Sequence, residues 1–303
     1  MNAVHRKRNL RSTIDNSPKT LIVNRKSKIE NQMTFLLEPL TYEFMQRGLL
    51  ASVIVGVLCA VMGTYVVLRG MAFLGDAMAH AILPGVAIAY ILKGDLLVGA
   101  GVAAVAVALT IGLFTKDGAV KEDTAIGILF AAALSLGVAL ISTMQTYAVD
   151  LSHILFGNVL GVSAGDLWLI GGLSFAILLT VALLYKPFLV ISFDPVLAAT
   201  LRLPADLLRN LMLVLLALTV VVSLQTVGVS LAAAMLVTPA ATAYLLTRRL
   251  LPMMFVSAVI GALSSVIGLY ISYYFNIVSG SAIVLTATIF FLVGFGWKRL
   301  RKA

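Results

Sequence analysis

Nine apolar stretches of about twenty residues, parted by short polar breaks, constrain this chain more than any other feature. They fall at roughly 44–68, 71–92, 96–115, 124–145, 165–186, 208–225, 228–246, 252–274 and 281–297. At 1.5 Å of rise per residue, each approaches the length needed to cross a hydrocarbon core about 30 Å thick. Lipid offers no hydrogen-bond partner to a backbone N–H or C=O, so a spanning segment is either a helix or a strand of a closed barrel. The ten-residue alternation of a barrel strand is absent from the sequence. The chain is 61% hydrophobic and 12% charged, and its mean hydropathy is +1.05. A soluble domain of 303 residues could not cover that much apolar surface. The expected fold class is therefore all-α: a polytopic membrane helical bundle of about nine transmembrane helices. Small residues at helix-packing spacing, Gly56, Ala60 and Gly63 in the first span and Gly99 and Ala103 in the third, favour close helix contact.

The net charge of +9 is unevenly spread. Residues 1–32 hold eight Lys/Arg against Asp15 and Glu30, which accounts for six of the nine charges. This basic tail lacks the apolar core of a secretory signal and reads as disordered. Basic segments beside membranes ordinarily stay solvated or touch anionic lipid, so we expect membrane lipid as a partner and no nucleic acid. Residues 33–303 form the membrane domain. Lys186, Arg202 and Arg209 flank one break, Arg248 and Arg249 mark another, and Lys298, Arg299, Arg301 and Lys302 close the chain. These regions are separated by even numbers of spans, so positive charge in short loops assigns them all, with the C-terminus, to the cytoplasm. Counting back, Arg69-Gly70 and the segment 116–123 lie on the same side. Nine spans then put the basic tail outside, against the charge rule. Either one span is re-entrant, or the working protein starts at Met33, just before the first span; the second is the expectation adopted.

Asp76 and His80 carry the chemistry. They stand four residues apart in LRGMAFLGDAMAHAILPGVAIAY, Leu68 to Tyr90, where everything near them is apolar or small. On a helix, i and i+4 share a face. An ionisable residue within a span is costly, roughly 2.5–3.5 kcal/mol for Asp at a helix centre, and is by default a functional-site candidate. A carboxylate with an imidazole suits Mn²⁺, Zn²⁺ or Fe²⁺ better than Na⁺ or Ca²⁺. One pair has too few ligands to hold a metal against water; a second copy on a two-fold axis would double it. A buried Asp–His hydrogen bond that merely ties helices together is the alternative, and the residues alone leave both open. Pro84 and Gly85, one turn on, would loosen the helix and free carbonyls.

Two further segments stand out. In Phe193–Pro204, Asp194 can cap a short helix with Pro195 at its first position, and Pro204 ends it. Such a helix, carrying Leu197, Ala198, Leu201 and Arg202, either docks into a partner's groove or lies on the membrane surface. Thr238 and Pro239, in VTPAATA, either kink the seventh span or line a polar path. His153, near Asp150, reads as a solvated loop histidine. The single cysteine, Cys59, excludes an intrachain disulfide and a cysteine-based metal cluster. There is no G-x-x-x-x-G-K-[ST], no H-E-x-x-H and no G-x-S-x-G. The chain is expected to be no enzyme and to bind no ATP itself.

The segments GTYVVLRGMAFLGDAMAHAILPGVAIAY, KEDTAIGILFAAALSLGVALIS, DLSHILFGNVLGVS, FDPVLAATLRLP and VVSLQTVGVSLAAAMLVTPAATAYLL occur in that order. On these the chain resembles the permease subunits of bacterial metal-ion ABC importers of the manganese/zinc/iron family, most closely the manganese branch. The likeness runs from about Leu40 to the C-terminus. It implies a vitamin B12-importer-like permease fold shortened by one N-terminal helix, in the bacterial plasma (inner) membrane. It further implies two copies with a translocation path between them, a separate cytoplasmic ABC ATPase subunit pair, and an extracytoplasmic metal-binding protein that delivers the cargo. By matching motif, Asp76 and His80 become metal ligands in the path, and Asp194, Pro195, Leu197, Ala198, Leu201 and Arg202 belong to the segment that couples to the ATPase. The cargo would be a divalent metal, manganese favoured and zinc or iron compatible, with ATP on the partner only and no permanently bound cofactor. An ion-coupled secondary transporter is the competing class, but it would need more intramembrane acids than Asp76.

Overall fold

The computed structural model describes residues 38–116, 118, 120–143, 159–193 and 195–301. Residues 1–43 form a unit of their own, whose described part is a 3₁₀ turn at Pro39–Thr41 with the Thr41 hydroxyl donating to the Glu38 carbonyl at 2.6 Å. Everything from Phe44 onward is a second unit, and its described residues contain helices and no strand.

The helices, in order, are α1 (Glu43–Leu68), α2 (Leu74–Ala81), α3 (Leu83–Ile91), α4 (Leu96–Thr115), α5 (Glu122–Ser142), α6 (Ala164–Leu183), α7 (Tyr185–Phe193), α8 (Pro195–Thr200), α9 (Ala205–Val227), α10 (Val229–Leu246), α11 (Leu250–Phe275) and α12 (Ser279–Leu300). Among the described residues eight segments are long and apolar enough to cross a membrane, with α2 and α3 together forming one of them. The seventh expected span corresponds to α10, whose apolar run Ala232–Leu246 is shorter than the rest. Its start is set by Gly228, which takes φ +80° and breaks the chain between α9 and α10.

One break falls where Pro84 was expected to loosen the helix; a second was not foreseen. The second span is interrupted at Ile82, between α2 and α3, and Pro84 lies in the first turn of α3. The fifth span stops at Leu184, and a separate helix, α7, follows where only a connection was expected. Pro187 suits the first turn of a new helix better than the interior of an old one, and Phe188 anchors α7 in the core with no exposure. Elsewhere the ends follow local chemistry. The Asp95 carboxylate accepts the N–H groups of Leu97 and Val98 at 2.7 and 3.2 Å to start α4, and Ser163 with Asp166 forms a capping box on α6.

Tight crossings of small residues hold the bundle together. On α1, Gly56 meets Gly261 of α11 so closely that a Cβ on either would fall within 3 Å of the other's carbonyl oxygen. The Ser265 hydroxyl donates to the Ser52 carbonyl at 2.9 Å and Ser257 to that of Ala60 at 2.8 Å, so the same seam carries cross-helix hydrogen bonds. Gly63 presses on the Leu236 carbonyl of α10, and Gly85 of α3 on that of Gly99 in α4. Hydrophobic attraction cannot drive helices together in lipid, so these contacts, through dispersion and hydrogen bonding, must.

The crossings make opposite predictions for neighbouring glycines. Gly99→Val forces a side chain into the Gly85 backbone and should lower stability by about 1–3 kcal/mol. Gly101→Val, two residues on, meets open space and should change it by less than about 0.5 kcal/mol. SDS-driven unfolding in mixed micelles measures both.

Candidate functional site

α1 ends at Leu68, and Gly70 turns the chain at φ +70°. The Met71 N–H returns to the Val66 carbonyl at 3.0 Å, and buried Met71 then anchors the segment that starts α2. On α2, Gly75, Met78 and Ala79 form the buried face, with Gly75 seated against Ala233 and Leu236 of α10. Asp76 and His80, one helical turn apart, lie about 100° and 140° around the helix from Gly75. Asp76 lies in the first turn of α2 rather than at mid-helix. Unpaired N–H groups at a helix start favour a carboxylate, so its placement costs less than a mid-span position would suggest.

His80 Nδ1 lies 3.7 Å from the Asp76 carboxylate, beyond a hydrogen bond. It lies 2.9 Å from the Asp76 backbone carbonyl instead. A carbonyl only accepts, so Nδ1 is the donor in this contact, and in the neutral tautomer that makes it the lone pair is on Nε2. The carboxylate and the imidazole thus stand within ion-pair distance without a hydrogen bond between them. Both side chains remain accessible, 42% for Asp76 and 26% for His80, in a segment whose surroundings are apolar. Phe130 of α5 stands edge-on to the imidazole, with ring centres 5.7 Å apart, and Phe73 stands edge-on to Phe130 at 5.4 Å. Phe130 thus packs against the imidazole and is itself backed by Phe73. Among the described residues no third His, Cys, Asp or Glu joins the pair.

Pro84 and Gly85 lie in the core. Pro84 is buried, and a Cβ on Gly137 of α5 would touch its ring. Gly85 faces α4, so both bear on helix packing beside the site. Pro239 is buried inside α10, and Thr238 is half-buried next to it. The Thr242 hydroxyl donates to the Thr238 carbonyl at 2.8 Å.

The short helix α8 runs from Pro195 to Thr200; Asp194 lies outside the described residues. Ala198 is fully buried, whereas Leu197 and Leu201, one turn apart, are 45% and 55% exposed. Arg202, also exposed, takes φ +54°, and the Leu203 N–H closes back on the Ala198 carbonyl at 3.0 Å. α8 thus presents apolar side chains outward and ends in a left-handed turn. His153 lies outside the described residues.

An ionic group that sequence reading missed ties the site's base together. The Arg69 guanidinium pairs with Glu122 at the start of α5, with 12% and 20% of the two side chains exposed. Burial lowers the Arg69 pKa from its ordinary value, and the Glu122 carboxylate opposes that. Arg209 of α9 donates to the carbonyls of Thr115 at 3.2 Å and Gly112 at 3.4 Å, closing the C-terminal end of α4, and to Asp206 at 3.1 Å. The charge rule had put these segments on one side, and the contacts do bring them to one end of the bundle; the pairing itself has no local signal.

The sequence matches the ABC 3 transport family over residues 41–298. It is 46% identical over 266 residues to the manganese transport system membrane protein MntC of Halalkalibacterium halodurans, covering 88% of this chain and 91% of that protein. It is 38% identical over 272 residues to the chelated iron transport system membrane protein YfeD of Yersinia pestis, covering 88% and 90%. Among solved structures, PsaBC from Streptococcus pneumoniae in complex with Fab superposes with a TM-score of 0.77 at 42% identity, covering 87% of this chain and 95% of that one.

Because neither Asp76 nor His80 fills the core, Asp76→Ala and His80→Ala should each shift stability by less than about 1 kcal/mol. Thermal melting of the purified variants checks this.

Proposed function

The chain belongs to the ABC 3 transport family as the permease of a metal-ion importer of the manganese branch, and from that premise we propose how it moves its cargo. Two copies form a path between them, and each contributes Asp76 and His80. The observation that carries this reading is the accessible Asp–His pair on one face of α2, whose carboxylate and imidazole stand 3.7 Å apart with no hydrogen bond between them. A carboxylate in an apolar segment needs water or a partner ion, and one copy supplies only half of a four-ligand set. Two Asp and two His suit Mn²⁺, Zn²⁺ or Fe²⁺. Relatives named for manganese and for chelated iron support a transition metal as cargo, with manganese the first choice. A transporter must also release, so a path site with few protein ligands is an advantage.

The driving force comes from a separate cytoplasmic ATPase. Exposed Leu197 on α8 and Leu201 just past its end, backed by buried Ala198, form the apolar side of a docking segment. α9 follows it at once, and Arg209 ties α9 to α4. α4 packs on α3, which continues α2 beyond Ile82. Movement of α8 therefore has a contiguous packed route toward the metal pair. Pro84, Gly85, Thr238 and Pro239 set the breaks and kinks about which α2, α3 and α10 can shift. The cytoplasmic side is that of α8 and the C-terminus, in the bacterial plasma membrane, and an extracytoplasmic binding protein delivers the metal. No residue here catalyses a covalent step.

In cells, Asp76→Ala and His80→Ala should each lower uptake of radioactive manganese and zinc by at least about tenfold at normal membrane levels; unchanged uptake of both metals contradicts the site. Leu197→Asp with Leu201→Asp should reduce co-purification of the ATPase subunit at least about tenfold, as loss of an interface anchor does. Undiminished recovery contradicts the docking role.

A further inference from the structure

We infer that the cytoplasmic ends of α10, α11 and α12 form a binding site for an anionic phospholipid, distinct from the metal path. A groove of about 500 Å³ runs between the three helices, within the range of ligand pockets, roughly 300–1,000 Å³. It is lined by Thr242 and Leu246 of α10, Phe255 and Val259 of α11, and Val293 and Trp297 of α12. The one side-chain hydroxyl among these is already donated to the Thr238 carbonyl. The walls therefore ask for an apolar guest, such as an acyl chain.

Charge decides what kind of acyl chain. All of these residues belong to the last turns of α10 and α12 or the first turns of α11. At that same end stand Arg248, Arg249, Lys298, Arg299 and Arg301. The Arg301 guanidinium lies 5.2 Å from the centre of the Trp297 ring at the groove's mouth. From Leu207 to Ala303 the sequence contains no Asp or Glu at all. Among the described residues none of the five cations has an ion-pair partner. A second copy is a poor occupant, because a two-fold contact would set this patch against itself, like charge on like, with no Asp or Glu side chain to offset it. A phospholipid offers both complements together: a chain for the groove and an anionic phosphate for the rim. Basic pockets between spans on the cytoplasmic side bind such headgroups.

The two tryptophans allow a direct test. Trp168 is 84% exposed on α6, so Trp168→Phe leaves a stable full-length protein with Trp297 as sole reporter. That protein is titrated in detergent with phosphatidylglycerol or phosphatidylcholine brominated on the acyl chain, and quenching of Trp297 is followed. Phosphatidylglycerol should quench at a lipid fraction about fivefold lower or better, the effect of one or more cations near the headgroup. Arg248→Gln, Arg249→Gln and Lys298→Gln together, with Arg301 kept to hold the indole, should reduce that preference. Val293→Phe, which fills the groove from an exposed position, should weaken quenching by both. Parity in the parent overturns the inference, as does a preference undiminished by the three neutralisations. Quenching unaltered by Val293→Phe overturns the groove and leaves general surface attraction. If the triple variant melts below its parent, the single variants Arg248→Gln and Lys298→Gln replace it, and an undiminished preference in both has the same meaning.

Discussion

A bilayer supplies no hydrogen-bond partner to the backbone, and the rest of this structure follows from that. Each spanning segment satisfies its own carbonyls and amides as a helix, and the helices then have little hydrophobic reason to associate. Association rests on close approach instead. Gly56 against Gly261, Gly63 against Leu236 and Gly85 against Gly99 bring backbones together, and Ser257 and Ser265 spend their hydroxyls across the α1–α11 seam. Gly75 seats α2 on α10 in the same way, and so determines which way Asp76 and His80 point. The chemistry of the site is thus a consequence of how small residues pack behind it.

Breaks in the helices do a second job. Ile82, Leu184 and Gly228 each end one helix and begin another, giving the bundle places where rigid pieces meet. Asp76 gains from another boundary, the turn between α1 and α2, since it falls in the first turn of α2, where the helix start favours a negative charge. The ion pair of Arg69 with Glu122 and the grip of Arg209 on the end of α4 fasten the same end of the bundle. A permease of this family must change shape to let metal through; fastened ends and jointed helices allow pieces to move without unfolding.

The all-helical class and most spans were legible because hydropathy over twenty residues is a strong, local signal. The short α10 and the unforeseen α7 were harder. α10 is trimmed by the glycine turn at Gly228, and α7 depends on Phe188 finding a pocket in the core, which no local pattern reports. The shared face of Asp76 and His80 could be read from their spacing. That Nδ1 bonds to the Asp76 carbonyl, and not to its carboxylate, could not, because both partners sit on the same residue. Phe130 beside His80 and Glu122 beside Arg69 are contacts across 50 or more residues, and a single sequence carries no record of them.

The central claim is that the metal path is shared, with half of its ligands from each copy. Heterodimers of one unaltered copy and one Asp76→Ala copy, isolated through two different affinity tags and reconstituted with the ATPase in liposomes, test it most directly. The account predicts that manganese transport falls nearly as far as when both copies are altered, because one substitution breaks the common site. Retention of about half the transport would mean that each copy carries its own path, and would contradict it.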